Sequence, residues 1–141
     1  MTKKILIAVD HGPMSETVAQ YGFQLGNQLG AEMALVSVVD TEYLMTDGGI
    51  TTGEMIEMMK NDFVLKQKTL VEKVFGEKRV DSFIEEGKPF LKILQKAQEW
   101  ESEMIILGTH GRKGLSHLLM GSVAEKVVRH AHIPLVIIPV K

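Results

Sequence analysis

The stretch MIILGTHGRKGLSHLLMGSVAEKVVRH, residues 104–130, contains the pattern that decides the fold. Met104 to Leu107 is a nearly continuous apolar run, which is typical of a buried parallel strand. A glycine-containing segment follows, and Ser122 to His130 then repeats apolar residues at helical spacing. The stretch therefore predicts a strand, a loop and a helix in succession, which is the repeating unit of a parallel α/β fold.

The same unit is predicted along the rest of the chain. Further strands are predicted at Lys4 to Val9, Glu32 to Val39 and Leu135 to Val140, with a weaker one at Arg79 to Glu85. Helices are predicted from an N-cap at Ser15 to a C-cap at Gly30, from Thr52 to Phe75, from Pro89 onward, and from Ser122 to His130. We expect Thr41 to Thr51 to be a long mobile connection, and the methionines Met55, Met58 and Met59 to fill the core.

This alternation predicts a doubly wound, five-stranded parallel sheet in the order 3-2-1-4-5, with helices on both faces. The mixed polarity of the run from Arg79 to Glu85 favours an edge position for that strand. We expect residues 1–141 to form a single domain, since 141 residues correspond to about one domain.

Composition excludes several classes of protein. Sixteen Lys and Arg residues against 18 Asp and Glu give a net charge of −2, which offers no broad attraction for nucleic acid. The chain has no cysteine, which excludes disulfides and cysteine-ligated zinc, and no apolar run near the roughly 18 residues of a membrane helix. Because no signal peptide is visible at the N-terminus, we expect a cytoplasmic protein.

The candidate ligand site is predicted at the carboxyl ends of the strands, where ligands bind in open parallel sheets. Asp10, Val38 and Gly108 lie at three of these ends. After Gly108, a second glycine allows close backbone approach, and Gly121 opens a helix whose first amides favour a phosphate. The segment has no Gly-Lys-Ser/Thr of a Walker A loop.

The spacing Gly108, two residues, Gly111, nine residues, then Gly121-Ser122 resembles the ATP-binding branch of the universal stress protein family. The similarity covers nearly the whole chain, from the opening strand that ends at Asp10 to the closing strand before Pro139. The chain departs from the family at Asp10-His11-Gly12-Pro13, where the family commonly has Asp-Gly-Ser. Because Asp10 is kept, this departure concerns the shape of the loop more than nucleotide binding. The resemblance implies a Rossmann-like fold of the adenine nucleotide alpha hydrolase type.

The resemblance also implies roles for individual residues. Asp10 would accept hydrogen bonds from the ribose hydroxyls, and the backbone of Val38 would meet the adenine edge. The amides of the glycines and the hydroxyl of Ser122 would face the phosphates. From their charge and proximity, and not from the resemblance, we expect Arg112 and Lys113 to screen the phosphate charge. The nucleotide-binding residues expected on this basis are Ala8, Val9, Asp10, Val38, Gly108, Thr109, His110, Gly111, Arg112, Gly121, Ser122 and Val123. The implied ligand is ATP, and no catalytic residue is assigned. The chemistry of the phosphates adds the expectation of a Mg²⁺ or Mn²⁺ ion that bridges them.

Structural alternatives stay open from the residues alone. Ser122 with Glu125 forms a Ser-x-x-Glu pattern that could cap its helix without any ligand. Asp10 could form an Asx-turn. The alternative function is a slow ATP hydrolase or phosphoryl-transfer enzyme, and we expect at most slow hydrolysis because no side chain is identified that would orient water.

The last predicted strand lies at an edge of the expected sheet. Its apolar residues Leu135, Val136, Ile137 and Ile138 would leave that edge open to further pairing. The resemblance points in the same direction, to a homodimer formed through this strand.

Overall fold

The computed structural model describes residues 3–44, 52–110 and 120–139. In these ranges the chain alternates strands and helices as predicted. The bounds are β1 Lys4–Ala8, α1 Ser15–Leu29, β2 Glu32–Asp40, α2 Thr52–Leu70, β3 Asp81–Gly87, α3 Pro89–Glu99, β4 Met104–Gly108, α4 Ser122–His130 and β5 Leu135–Ile138.

All five strands belong to one parallel sheet in the order β3-β2-β1-β4-β5, which confirms the predicted topology. The register places Ile7 of β1 opposite Leu35 on one side and Ile106 on the other. The chain thus crosses from the β3 edge to the opposite side of β1, and this reversal opens a crevice at the carboxyl ends of the central strands.

Helices cover both faces of the sheet, as expected. On one face, α1 and the end of α2 pack on a cluster that contains Ile7, Leu35 and Ile106. On the other face, α3 and α4 pack on a cluster built around Leu6 and Val36. The alternation of neighbouring β1 residues between the two clusters follows from the two-residue period of a strand.

Helix α1 approaches the sheet very closely at Gly22 and Gly26, which are one helical turn apart. A β-carbon added to Gly22 would lie 2.6 Å from Cδ1 of Ile7, and one added to Gly26 would lie 2.4 Å from Sδ of Met33. Glycine at these positions is therefore what lets the helix backbone pack directly on the side chains of the two central strands.

The second helix departs from the prediction at its end. The α-helix stops at Leu70, and a π-helical turn at Val71–Phe75 continues it to Gly76. Phe75 is buried and contacts the ring of Phe23 edge-on, with ring centroids 5.2 Å apart. The wider turn brings Phe75 into the core in addition to Leu70.

Other predicted boundaries were wrong by one or two residues. The predicted strand at Arg79 to Glu85 lies two residues later, because its pairing with β2 continues to Gly87. The N-cap of α1 is Met14 instead of Ser15. Thr41–Leu44 form a 3-10 turn, while the rest of the predicted connection, residues 45–51, lies outside the described residues, as does Val140.

Candidate functional site

A cleft of about 680 Å³ lies at the carboxyl ends of β1, β2 and β4. Its volume falls in the range of roughly 300–1,000 Å³ that is usual for small-molecule and cofactor sites. The described residues that line it are Ala8, Val9, Asp10, Met14, Ser15, Val18, Val36, Val38, Asp40, Met59, Phe63, Pro89, Ile93, Leu107, Gly108, Thr109, His110, Gly121, Ser122, Val123 and Ala124.

The cleft brings together the residues that sequence analysis singled out. Ten of the twelve predicted nucleotide-binding residues line it, although they come from four separate stretches of the chain. The other two, Gly111 and Arg112, lie outside the described residues, as does Lys113. The common position follows from the parallel sheet, since the carboxyl ends of its strands meet at one edge.

The carboxylate of Asp10 is held at the rim of the cleft by the turn that follows β1. Its Oδ1 atom accepts hydrogen bonds from the Gly12 amide at 2.9 Å and the Ser15 hydroxyl at 3.3 Å. Ser15 is the first residue of α1 and not its N-cap, so the predicted cap was wrong. Its hydroxyl donates to Asp10 instead. Asp10 therefore forms the Asx-type turn and also lines the cleft.

An apolar wall occupies the side of the cleft next to β2. Val36 and Val38 come from the strand, and Met59 and Phe63 come from α2. Sequence analysis placed Met59 in the core and gave no reason to assign either α2 residue to a ligand site. Met58, which was also expected to fill the core, is 61% exposed, so the prediction was wrong for this residue.

The first turn of α4 also lines the cleft. Gly121 is the N-cap, and no side chain caps the helix. The capping pattern of Ser122 with Glu125 is therefore not formed; Ser122 is the first helical residue, and Glu125 pairs with Arg129 at 2.6 Å. The first amides of a helix have no partner within it and are suited to an anion.

The amide of Gly121 was expected to face the phosphates, but its hydrogen is used within the protein. It donates a hydrogen bond to the carbonyl oxygen of Thr109 at 2.6 Å. The Thr109 amide is also used, since it donates to the Ile138 carbonyl at 3.0 Å. These two bonds fix the carboxyl end of β4 between β5 and the start of α4.

The described part of the cleft is poor in positive charge. Asp10 and Asp40 are its acidic residues, and no lysine or arginine is among the described residues that line it. His110 is also in the wall; its Nδ1 lies 3.2 Å from the Thr109 hydroxyl, and its buried Nε2 has no hydrogen-bond partner within the described ranges. Nor do the described His, Asp and Glu residues form a group of three able to hold a metal ion.

Comparisons with known proteins show the family and the fold of this chain. Residues 1–139 match the sequence pattern of the universal stress protein family. Universal stress protein MJ0531 of Methanocaldococcus jannaschii is 30% identical over 139 residues, covering 96% of this chain and 81% of that protein.

Solved structures match over the whole fold. The protein MJ0577 gives a TM-score of 0.87 at 23% identity, covering 100% of this chain and 98% of that one. A universal stress protein from Archaeoglobus fulgidus, solved in complex with dAMP, gives a TM-score of 0.58 at 16% identity and covers 98% of each chain. Among the helices described here, none has the length and apolar character needed to span a membrane.

Proposed function

Because this chain belongs to the universal stress protein family, we propose that it binds ATP and acts as a regulatory or protective module in the stress response. The observation that carries this proposal is the convergence of residues 8–10, 38, 108–110 and 121–123 on one cleft. The dAMP complex of the Archaeoglobus fulgidus relative supports a nucleotide as the ligand class. We assign the binding to a single domain of residues 1–141.

The apolar wall and the first turn of α4 suit the two ends of a nucleotide. The apolar wall of Val36, Met59 and Phe63 would enclose a purine ring, with the backbone of Val38 at its polar edge. The fixed carboxylate of Asp10 would accept hydrogen bonds from ribose hydroxyls, because an ionised carboxylate is purely an acceptor. Base and ribose would thus be bound next to the ends of β1 and β2.

The phosphates would extend toward α4. The first-turn amides of Ser122 and Val123 and the helix dipole provide a site for an anion. Gly111, Arg112 and Lys113 would complete the site by charge and backbone contact. Mg²⁺ or Mn²⁺ would be held mainly by the phosphate oxygens and would arrive with the nucleotide.

Slow ATP hydrolysis or phosphoryl transfer by the same site is the alternative function. Phosphoryl transfer depends on a positioned nucleophile and charge clamps. The two carboxylates of the described cleft each accept a hydrogen bond from a nearby backbone amide, Asp10 from Gly12 and Asp40 from Glu42. Repeated turnover of Mg-ATP at about 1 s⁻¹ or faster, the lower end of ordinary enzymes, would favour the enzyme.

We also propose that two copies pair through β5 in a cytoplasmic protein. This strand is at the edge of the sheet, and its residues Leu135, Val136 and Ile137 are only half-buried. On one face, Val136 borders a groove with Leu25 and Tyr21, whose side chain is 53% exposed. Pairing with a second β5 would cover apolar surface together with unpaired backbone groups.

The direct test is to denature freshly purified protein and to separate the released small molecules by chromatography. We expect adenine nucleotide to be released, and we expect the emptied protein to bind Mg-ATP in isothermal titration calorimetry. Asp10→Ala should weaken this binding by about tenfold, the effect of losing about one hydrogen bond to a charged group. Protein that releases no nucleotide and gives no heat with Mg-ATP would refute the proposal.

A further inference from the structure

His11, which follows Asp10, has an unusual backbone conformation. Its φ angle is +62°, in the left-handed region that most residues with a side chain avoid. Histidine is among the few non-glycine residues that are enriched there, but a single residue keeps this conformation only where its surroundings hold it. The surroundings of its side chain are therefore informative.

A buried polar cluster holds the imidazole ring. Gln67 of α2 is 1% exposed, and its side-chain amide donates to the Ser82 hydroxyl at 2.6 Å and the Phe83 carbonyl at 3.2 Å. A carbonyl can only accept, so the Oε1 atom of Gln67 faces the other way, toward Ser37 and His11. His11 Nε2 lies 3.0 Å from that oxygen and 2.9 Å from the Ser37 hydroxyl.

This orientation bears on the direction of the hydrogen bond between His11 and Gln67. The Ser37 hydroxyl donates to Oε1 of Gln67, and that oxygen has no hydrogen to offer. In this arrangement, the imidazole is the donor of the hydrogen bond between His11 Nε2 and Oε1 of Gln67. The hydrogen bond connects residues 56 positions apart, so it joins the turn after β1 directly to α2.

An aromatic contact completes the support. The His11 ring meets the Phe63 ring edge-on, with centroids 5.0 Å apart and an interplanar angle of 66°. Phe63 and Gln67 are one helical turn apart on α2, so the same face of this helix holds the imidazole by a packing contact and by a hydrogen bond. Phe63 also lines the cleft, which places the support directly behind the apolar wall.

We propose that His11 is a positioning residue: anchored by Ser37, Gln67 and Phe63, it holds the Asp10 carboxylate in the orientation that selects a ribose bearing its hydroxyls. The neighbouring turn bonds, from Gly12 and Ser15 to Asp10 Oδ1, depend on the backbone that His11 fixes. This inference rests on the proposed nucleotide-binding function and adds to it a determinant of sugar specificity.

The test compares the dissociation constants for Mg-ATP and Mg-2′,3′-dideoxy-ATP, measured by calorimetry on the full chain. The wild type should bind ATP more tightly, and Asp10→Ala should abolish this preference. His11→Gly keeps the left-handed backbone accessible but removes the ring. It should weaken ATP binding by about tenfold, leave dideoxy-ATP binding nearly unchanged, and cause no further loss when combined with Asp10→Ala.

Two serines provide matched variants, since each contacts Gln67 from a different side. Ser37→Ala removes a partner of His11 and should lower the ratio of the two affinities, whereas Ser82→Ala should leave it unchanged. Ser37→Ala also carries the test if His11→Gly does not fold. An unchanged ratio in both His11→Gly and Ser37→Ala, or an equal loss for both nucleotides, would overturn the role of His11. A wild type that binds neither nucleotide would instead refute the proposed function.

Discussion

At the residue scale, Gly121 tests the phosphate side of the cleft. Its φ of −64° and ψ of 161° are open to any residue, so a substitution there changes the available space and not the backbone. Gly121→Val would place two methyl groups beside the first turn of α4. We expect ATP affinity to fall at least tenfold, with a melting temperature within a few degrees of the wild type.

The matched control is the same substitution at Gly53, an exposed position at the start of α2 where an added β-carbon meets nothing within 4 Å. Gly53→Val should bind ATP as the wild type does. Calorimetry measures both variants, and normal ATP binding by Gly121→Val would show that the start of α4 does not receive the phosphates.

Single residues also show which part of the site the sequence could predict. Asp10 and Val38 were predictable, because strand ends in a parallel sheet share an edge. The caps at Ser15 and Ser122 were not, because each serine lies one position inside its helix and local patterns do not fix that position. The hydrogen bond between His11 and Gln67 was not predictable either. It depends on which face α2 turns toward the end of β1, and a local sequence pattern does not determine that.

At the scale of elements, the contact of α1 with the sheet depends on Gly22. Gly22→Val would force the β-carbon and two methyl groups against Ile7, which is itself fully buried. We expect a loss of about 1–3 kcal/mol in the free energy of unfolding, the usual cost of overpacking. Urea denaturation followed by circular dichroism measures this change.

Gly53→Val serves again as the control, since its side chain would lie in open space. Its free energy of unfolding should stay within about 0.5 kcal/mol of the wild type, as is usual for surface substitutions. If Gly22→Val were as stable as this control, α1 would not pack on β1 as closely as described.

The order and type of the elements were predictable because each buried strand is a nearly continuous apolar run. The residues at which the elements begin and end were less predictable. The run at Leu70, Val71, Val74 and Phe75 fits a continued α-helix as well as the π-helical turn that forms, since both bring apolar residues to the sheet. The choice between them depends on how Phe75 packs against Phe23 of another helix.

At the scale of the whole molecule, the proposed dimer makes a prediction for β5. Ile137→Lys would place a charge on the edge strand, where pairing with a second copy would bury it at high cost. We expect the sedimentation mass to fall from that of a dimer to that of a monomer. Leu65→Lys, at a position that is 66% exposed on α2, is the control and should leave the mass unchanged.

Circular dichroism should show that both lysine variants keep the wild-type secondary structure. A folded Ile137→Lys variant with the same sedimentation mass as the wild type would rule out association through β5.

The central position of β1 has a consequence for the newly made chain. β1 leaves the ribosome well before its neighbour on one side, β4, which begins only at Met104. Until then a nascent chain can form the β1–β2 and β2–β3 pairs, but the other edge of β1 still presents unsatisfied backbone groups to other molecules. The cleft, which includes the end of β4, is therefore completed late in synthesis. A ribosome-stalled fragment that ends before β4 should be open to chaperones and unable to retain nucleotide.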